Sequence, residues 1–209
     1  MKKAIIFDLD GVLLSTDHFH YLAWKKIADK ENIYFDEKIN NRLRGVSRMA
    51  SLDIILERAA RAYSDEEKLL LAEEKNNCYR ELLNELDPSF LAPNTTALLE
   101  ELRERGVRLA IGSSSKNTRF ILEKVELTDY FEVISDGTMI QHSKPDPEVF
   151  LLAASLLELS PEDCYVVEDA FAGIDAAKAG GFTAIGIGEA SRYEKTDYPI
   201  EKLADILTL

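Results

Sequence analysis

Cysteine is scarce in this sequence, and the few that occur form no recognisable motif. Cys78 and Cys164 are the only two among 209 residues, and they lie far apart with no CxxC spacing and no Cys/His cluster. A disulfide framework or a thiolate metal site would need more cysteines at closer spacing. We therefore expect both to be reduced, partly buried thiols in a protein of the cytoplasm.

Long apolar runs and an excess of positive charge are also missing. No apolar run approaches the length of a bilayer span. The stretch after Lys2-Lys3 is interrupted at Asp8 and is too short for a secretion signal. The 25 basic and 38 acidic residues give a net charge of −13, which argues against nucleic acid or an anionic membrane as partner.

The chain has the composition of an ordinary globular protein. Hydrophobic residues make up 46% and charged residues 30%, without internal repeats or low-complexity tracts. A chain of this length can form one sizeable core, or a core domain that carries a smaller insert.

Short β-rich runs alternate with helical patterns over most of the chain. This alternation predicts an α/β fold: a Rossmann-like parallel sheet core with helices on both faces. The final stretch, Gly188–Leu209, shows no clear extra strand. The predicted strands are Ala4–Phe7, Val107–Ile111, Phe131–Ile134, Tyr165–Val167 and Thr183–Ile187. The predicted helices are Thr95–Arg105, Asn117–Glu126, Pro147–Leu157 and Phe171–Ala179.

The segment between the first strand and the rest of the core breaks this alternation. Leucine, isoleucine and alanine recur there at helical spacing, which predicts helices over Ser51–Tyr63 and Asp65–Leu86. We therefore predict a core domain of residues 1–15 and 91–209, with a helical domain of residues 16–90 inserted into it.

Polar side chains follow each of the first four predicted strands. In an open parallel sheet, ligands bind outside the carboxyl ends of the strands, so these side chains are expected to meet in one crevice. They are Asp8 and Asp10 after the first strand, Ser113 and Ser114 after the second, Lys144 in the loop after the third, and Glu168 and Asp169 after the fourth.

The chemistry of this set favours metal-assisted phosphoryl transfer. Four carboxylates cannot stay ionised together without a cation, and ligation by oxygen alone indicates Mg²⁺ rather than zinc or copper. Serine hydroxyls and amides at a helix start suit phosphate oxygens. Asp8 could then act as a nucleophile that forms an aspartyl-phosphate, and Asp10 could move the proton.

Each of these signals alone has a simpler structural explanation. A DxD pair after a strand can be a turn, the serines can be helix caps, and Lys144 can be an exposed loop residue. Glu168 and Asp169 can stabilise the start of a helix. Their occurrence in order after successive strands favours the functional interpretation.

At these residues the sequence resembles the haloacid-dehalogenase-like superfamily of phosphotransferases. The matching pattern is Asp8-Leu9-Asp10-Gly11, then Ser113, Lys144 and Glu168-Asp169. The dehalogenases of that superfamily lack the second aspartate, so Asp10 favours phosphoryl transfer. The helical insert matches the mobile cap that closes over the site in the superfamily.

Within the superfamily, the sequence is most similar to the β-phosphoglucomutase family. Stretches such as FDLDGVLLSTDHFHYLAWKKIA, HSKPDPEVF and VVEDAFAGIDAAKAGGF carry this resemblance, and together such matches cover most of the chain. The most discriminating one is Gly45-Val46-Ser47-Arg48, because an arginine in the cap suits the second phosphate of a sugar bisphosphate. A solvated arginine beside a helix-capping serine is the alternative.

The resemblance implies a role for each matching residue. Asp8 is the implied nucleophile and Asp10 the general acid and base. For Ser115 and Asn117 a helix-capping role, and for His20 and Trp24 a structural role on the first cap helix, remain open alternatives. The implied Mg²⁺ ligands are Asp8, Glu168, Asp169 and the carbonyl of Asp10. The implied ligands of the transferring phosphate are Ser113, the Ser114 amide and Lys144, and those of the other phosphate are Arg48, Ser115, Lys116 and Asn117. The residues implied to shape the sugar pocket and its closure are His20, Trp24, Gly45, Ser51 and Lys75, with Thr16 at the hinge.

The implied activity is a phosphomutase that interconverts β-glucose 1-phosphate and β-glucose 6-phosphate. Two alternatives remain: an Mg²⁺-dependent sugar-phosphate phosphatase of the same superfamily, and a catalytically silent sugar-phosphate-binding protein. A monomer is expected, because a cap must be free to move.

Overall fold

A parallel sheet of six strands forms the centre of the larger part of the molecule. The computed structural model describes residues 2–43 and 46–209. The strand order is β3-β2-β1-β4-β5-β6, and every neighbouring pair is parallel. This confirms the predicted α/β fold. The strands are β1 (Ala4–Phe7), β2 (Arg108–Gly112), β3 (Val133–Ser135), β4 (Cys164–Glu168), β5 (Thr183–Gly186) and β6 (Tyr198–Pro199).

The central strands are buried on both faces, as helix-covered parallel strands must be. All four residues of β1 and all five of β4 are buried. Ala4 and Ile6 pack with Phe150 and Ile174 in one apolar cluster, so α7 and α8 cover that face. The helices of this larger part are α5 (Thr95–Glu104), α6 (Thr118–Lys124), α7 (Glu148–Leu156) and α8 (Phe171–Ala179).

The stretch near the carboxyl terminus, where the sequence shows no clear strand, contains a sixth strand. Tyr198 and Pro199 pair with Ile185 and Gly186 of β5 and form the short edge strand β6. A pairing of two residues that includes a proline leaves almost no β-pattern in the sequence, and proline is tolerated in sheets mainly at such edges.

In a second compact unit, the described residues form helices and no strand. The chain divides into a core unit, which runs up to Ser15 and over Leu86–Leu209, and a helical unit, Thr16–Glu85. The second junction precedes the predicted boundary after residue 90. The helices of the helical unit are α1 (Asp17–Lys30), α2 (Glu37–Asn41), α3 (Arg48–Leu56) and α4 (Asp65–Leu82).

Side-chain caps mark the starts of α3 and α4. The hydroxyl of Ser47 accepts a hydrogen bond from the amide of Ala50, so α3 starts before the predicted Ser51. Ser64 and Glu67 form a reciprocal capping box at the start of α4. Helix α3 ends at Leu56, so the predicted helix to Tyr63 was too long.

The two cysteines are free thiols, as expected, but they are more completely buried than expected. Cys78 lies on α4 and Cys164 begins β4. Burial raises the pKa of the Cys164 thiol to about 11. Among the described residues, no helix is both long and apolar enough to cross a membrane.

Candidate active site

Three carboxylates meet at the carboxyl ends of β1 and β4. Phe7 pairs with Val167, so Asp8 and Glu168 follow side by side at the ends of adjacent strands, and Asp169 comes next. One oxygen from each of these three carboxylates lies within 4.8 Å of the others. Asp8 is 8% exposed and Glu168 only 1%. Strand register therefore concentrates negative charge at a buried point.

Lys144 brings the positive charge that two of these carboxylates need. Its ammonium lies 2.6 Å from Oδ1 of Asp8 and 2.5 Å from Oε1 of Glu168, and its side chain is 11% exposed. Burial alone would lower the pKa of Lys144, but the two carboxylates outweigh that effect and raise it to about 12. Lys144 is therefore a cation at neutral pH.

One ammonium does not balance three carboxylates. Burial raises the pKa of Glu168, although Lys144 opposes that rise. Burial and then the charges of Glu168, Asp8 and Asp10 raise the pKa of Asp169 to about 8. The donor atoms are all oxygens, so the cluster fits a hard divalent cation such as Mg²⁺.

Two glycines let the backbone approach these carboxylates closely. A Cβ on Gly173, in the first turn of α8, would lie 1.9 Å from the carboxyl carbon of Glu168. A Cβ on Gly11 would lie 2.0 Å from Oδ2 of Asp169, and Gly11 has φ +86°. The glycine after the aspartate pair is therefore required for both its backbone conformation and its lack of a side chain.

Substituting Gly11 with alanine is expected to lower both thermal stability and kcat. The left-handed backbone strains alanine by about 1 kcal/mol, and the new methyl group displaces the Asp169 carboxylate. Thermal unfolding and kcat should be measured together. Gly106→Ala is the matched control, because Gly106 has φ +76° with nothing within 4 Å of its Cβ position. We expect Gly106→Ala to lower Tm alone; equal kcat values in the two variants would contradict the role of Gly11.

Asp10 lies just beyond the cluster. It forms an isolated parallel bridge with Leu14, and the amide of Gly11 bonds to the carbonyl of Leu14 at 2.7 Å, which closes a tight turn after β1. The charge of Asp10 contributes to the raised pKa of Asp169, so its carboxylate is near the cluster. Its role as general acid and base stays a prediction.

The serine loop after β2 is held by hydrogen bonds from its own backbone. The hydroxyl of Ser113 accepts from the amide of Ser115 at 3.3 Å, and the hydroxyl of Ser115 accepts from the amide of Asn117 at 3.1 Å. The hydroxyl of Ser114 accepts from the amide of Lys144 at 3.4 Å, which joins this loop to the lysine loop. Lys116 is exposed. The phosphate-binding roles predicted for these residues remain untested.

The segment after β3 supports this loop in a way that the sequence did not reveal. The amide of Gly137 bonds to the carbonyl of Ser115, and a Cβ at position 137 would lie 2.2 Å from the carbonyl oxygen of Ser114. The carbonyl of Ser135 accepts from the amide of Ser113. The glycine in Ser135-Asp136-Gly137 was the only signal, and it could not be separated from an ordinary turn.

Several predicted cap residues meet within the helical unit. Nζ of Lys75 lies 2.7 Å from Nδ1 of His20 and 5.0 Å from the centre of the Trp24 ring. Trp24 is 2% exposed and belongs to the apolar core of this unit, which favours the structural role left open for it. The guanidinium of Arg48 donates a hydrogen bond to Oδ1 of Asn76 at 2.7 Å.

The remaining predicted cap residues have different surroundings. Ser51 is buried on α3. The hydroxyl of Thr16 lies 2.8 Å from that of Tyr79. Gly45 lies outside the described residues. All the predicted substrate contacts of these residues remain predictions.

Comparison with known proteins identifies the family of this chain. The model of the haloacid dehalogenase-like hydrolase family matches residues 2–181, so the chain belongs to that family. It is 41% identical to the β-phosphoglucomutase of Bacillus subtilis, over 98% of this chain and 91% of the relative. The crystal structure of β-phosphoglucomutase from Clostridium difficile superimposes with a TM-score of 0.90, at 37% identity, over 99% of this chain and 93% of that one. A phosphorylated carbohydrates phosphatase of Thermotoga maritima is 32% identical over 88% of this chain and 83% of the relative.

Proposed function

We propose that this protein is a β-phosphoglucomutase, which interconverts β-glucose 1-phosphate and β-glucose 6-phosphate. The observation that carries phosphoryl transfer is the Lys144 ammonium between the Asp8 and Glu168 carboxylates, with Asp169 beside them. The choice of a mutase rests on the Bacillus subtilis relative, which matches nearly the whole chain. A location in the cytoplasm and a monomeric state are part of the proposal.

The chemistry begins with Asp8 in its phosphorylated form. The 6-hydroxyl of β-glucose 1-phosphate attacks the phosphorus while Asp10 takes its proton, which gives the 1,6-bisphosphate and frees the Asp8 carboxylate. The bisphosphate reorients. Asp8 then attacks the phosphorus at C1, and Asp10 returns a proton to the leaving oxygen, so that β-glucose 6-phosphate departs and Asp8 is again phosphorylated.

The other residues of the site bind charge and orient the transferring group. Lys144, the hydroxyl of Ser113 and the amide of Ser114 would bind its oxygens, and Arg48 with Ser115, Lys116 and Asn117 would bind the second phosphate. Asp8, Glu168, Asp169 and the carbonyl of Asp10 would hold Mg²⁺, which when bound neutralises charge on the phosphoryl oxygens. Exclusion of water from the phosphorylated Asp8 is what separates a mutase from a phosphatase.

A product analysis tests the proposal. The protein is incubated with Mg²⁺, β-glucose 1-phosphate and a trace of β-glucose 1,6-bisphosphate, and the products are followed by phosphorus NMR. We expect glucose 6-phosphate to accumulate with little inorganic phosphate. Release of inorganic phosphate without glucose 6-phosphate would instead establish the phosphatase, the second candidate that the Thermotoga maritima relative favours.

Magnesium is expected to stabilise the folded protein, and Asp169→Asn should reveal why. Below pH 3.8 the Asp169 carboxyl is protonated in both states. Between pH 3.8 and about 8 only the unfolded state of the metal-free protein has lost that proton, so stability falls as pH rises through this window. In chelator-treated protein at pH 7.5, Asp169→Asn should therefore raise Tm, yet reduce the increase in Tm that added Mg²⁺ produces.

Asp163→Asn is the matched control for this prediction. Asp163 is a surface carboxylate paired with Lys3, so its substitution should leave the Mg²⁺-dependent increase in Tm as in the wild type. An Asp169→Asn variant that retains the full Mg²⁺-dependent increase would contradict the assignment of Asp169 as a ligand.

A further inference from the structure

Tyr79 is buried on α4 and contacts three residues to which the family resemblance gives a role at the sugar pocket or the hinge. It is 1% exposed. Its ring stacks on the His20 ring at 4.0 Å between centroids, with an angle of 27° between the planes. The ammonium of Lys75 lies 4.5 Å from the centre of the same ring, and the Tyr79 hydroxyl lies 2.8 Å from that of Thr16. The proposed reaction assigns no role to Tyr79.

The contact between Lys75 and His20 determines which imidazole nitrogen carries the proton. An ammonium has three donors and no acceptor, so at 2.7 Å Nδ1 of His20 must accept. The proton of the neutral ring is then on Nε2, and His20 is a donor there. Burial lowers the pKa of His20 well below its usual value, and the positive charges of Lys75 and Arg48 lower it further, which agrees with a neutral ring.

The Tyr79 ring stabilises both partners of this contact. Its face attracts the Lys75 ammonium, as does the Trp24 ring 5.0 Å away, so the buried charge lies between two aromatic faces. Stacking on the same ring restricts rotation of the imidazole about its χ2 angle. Lys75 and Tyr79 are four residues apart on α4, and this spacing places them on one side of the helix.

We propose that Tyr79 is a positioning residue that holds His20 in the Nε2–H tautomer against the Lys75 ammonium. In this tautomer Nε2 of His20 is a donor and Nδ1 accepts from Lys75, in a residue that the family resemblance implies for the sugar pocket. The part that concerns the substrate rests on the proposed function, whereas the tautomer and the role of Tyr79 in fixing it are properties of the protein alone.

Nitrogen-15 NMR of the histidine rings tests the tautomer without any substrate. The chain has three histidines, and the His20 signals are assigned as those that disappear in His20→Gln. The other two, His18 and His142, are exposed. At pH 7 we expect a protonated Nε2 and an unprotonated Nδ1 in the wild type and in Tyr79→Phe. In Tyr79→Leu we expect exchange between the two tautomers. A wild-type His20 protonated on Nδ1, or Tyr79→Leu signals equal to those of the wild type, would overturn the proposal.

Kinetics and fluorescence distinguish a positioning role of Tyr79 from a purely structural one. Loss of an oriented donor should raise KM for the sugar phosphate about tenfold in Tyr79→Leu while kcat changes less, and Tyr79→Phe should recover most of that loss. The emission of Trp24, the single tryptophan, should change in Tyr79→Leu because the Lys75 ammonium moves. Tyr63→Leu is the control for lost packing in the same unit, since Tyr63 bonds to Glu31 instead.

The outcomes separate this proposal from the proposed function. A wild-type protein without mutase activity, but with the expected His20 tautomer and its loss in Tyr79→Leu, would overturn the function and support the role of Tyr79. Equal effects of Tyr63→Leu and Tyr79→Leu on KM would contradict a positioning role. If Tyr79→Leu does not fold, Tyr79→Met replaces it, because methionine also removes the aromatic face that contacts His20 and Lys75.

Discussion

Asp8→Asn is expected to reduce turnover of β-glucose 1-phosphate by ~10⁴-fold or more, since the substitution removes the nucleophile on which the phosphoryl group is carried. Asparagine has nearly the same shape, so the fold should be retained. Steady-state turnover measures the effect, and circular dichroism verifies folding. Incorporation of labelled phosphate from the bisphosphate into the protein should also disappear, because Asp8 is the proposed phosphoryl acceptor and Asp10 is assigned to proton transfer.

Asp163→Asn provides the matched surface control here as well, and its turnover should equal that of the wild type. A wild-type protein no more active than Asp8→Asn would support the third possibility, a sugar-phosphate-binding protein without catalysis. An Asp8→Asn variant with substantial activity would show that another group receives the phosphoryl group.

Lys144→Met is expected to impair both stability and catalysis. The ammonium lies within 2.6 Å of two buried carboxylates, and removal of one partner of a buried ion pair costs about 3 kcal/mol. The same ammonium would neutralise charge on the transferring phosphoryl group, so kcat/KM should fall by roughly 10³-fold. Thermal unfolding and initial rates measure the two effects separately.

The comparison with a surface lysine distinguishes a specific effect from a general loss of charge. Lys195 pairs with Asp175 at 2.6 Å, but its side chain is 50% exposed, and Lys195→Met should change both quantities little. Wild-type kcat/KM in Lys144→Met would contradict the site. Recovery of stability in Lys144→Arg with little recovery of kcat/KM would indicate that the position of the charge matters as well as its presence.

Features with a strong local signal were predictable from the sequence. The bounds of β1 and α8 agree with the prediction, because an apolar run that ends at Asp8 and a helix that ends before Gly180-Gly181 are both determined locally. The meeting of Asp8, Lys144, Glu168 and Asp169 was also predictable, since parallel strands bring their carboxyl ends to one edge.

Features that depend on contacts distant in sequence were not predictable. Strand β6 forms only through its pairing with β5. The positioning role of Tyr79 was not predictable, because it depends on contacts with the His20 ring and the hydroxyl of Thr16, which are distant in sequence. The sequence indicates only a turn at Gly137, and the need for glycine there comes from the carbonyl of Ser114, which lies against it.

The central claim is that a sugar hydroxyl, rather than water, accepts the phosphoryl group from Asp8. It is tested most directly by running the reaction in H₂¹⁸O with Mg²⁺, β-glucose 1-phosphate and a trace of bisphosphate, and reading the isotope shift of each product by phosphorus NMR. A mutase yields glucose 6-phosphate whose phosphate contains no ¹⁸O. Formation of inorganic phosphate with one ¹⁸O atom in each molecule would contradict the account, because water would then be the acceptor.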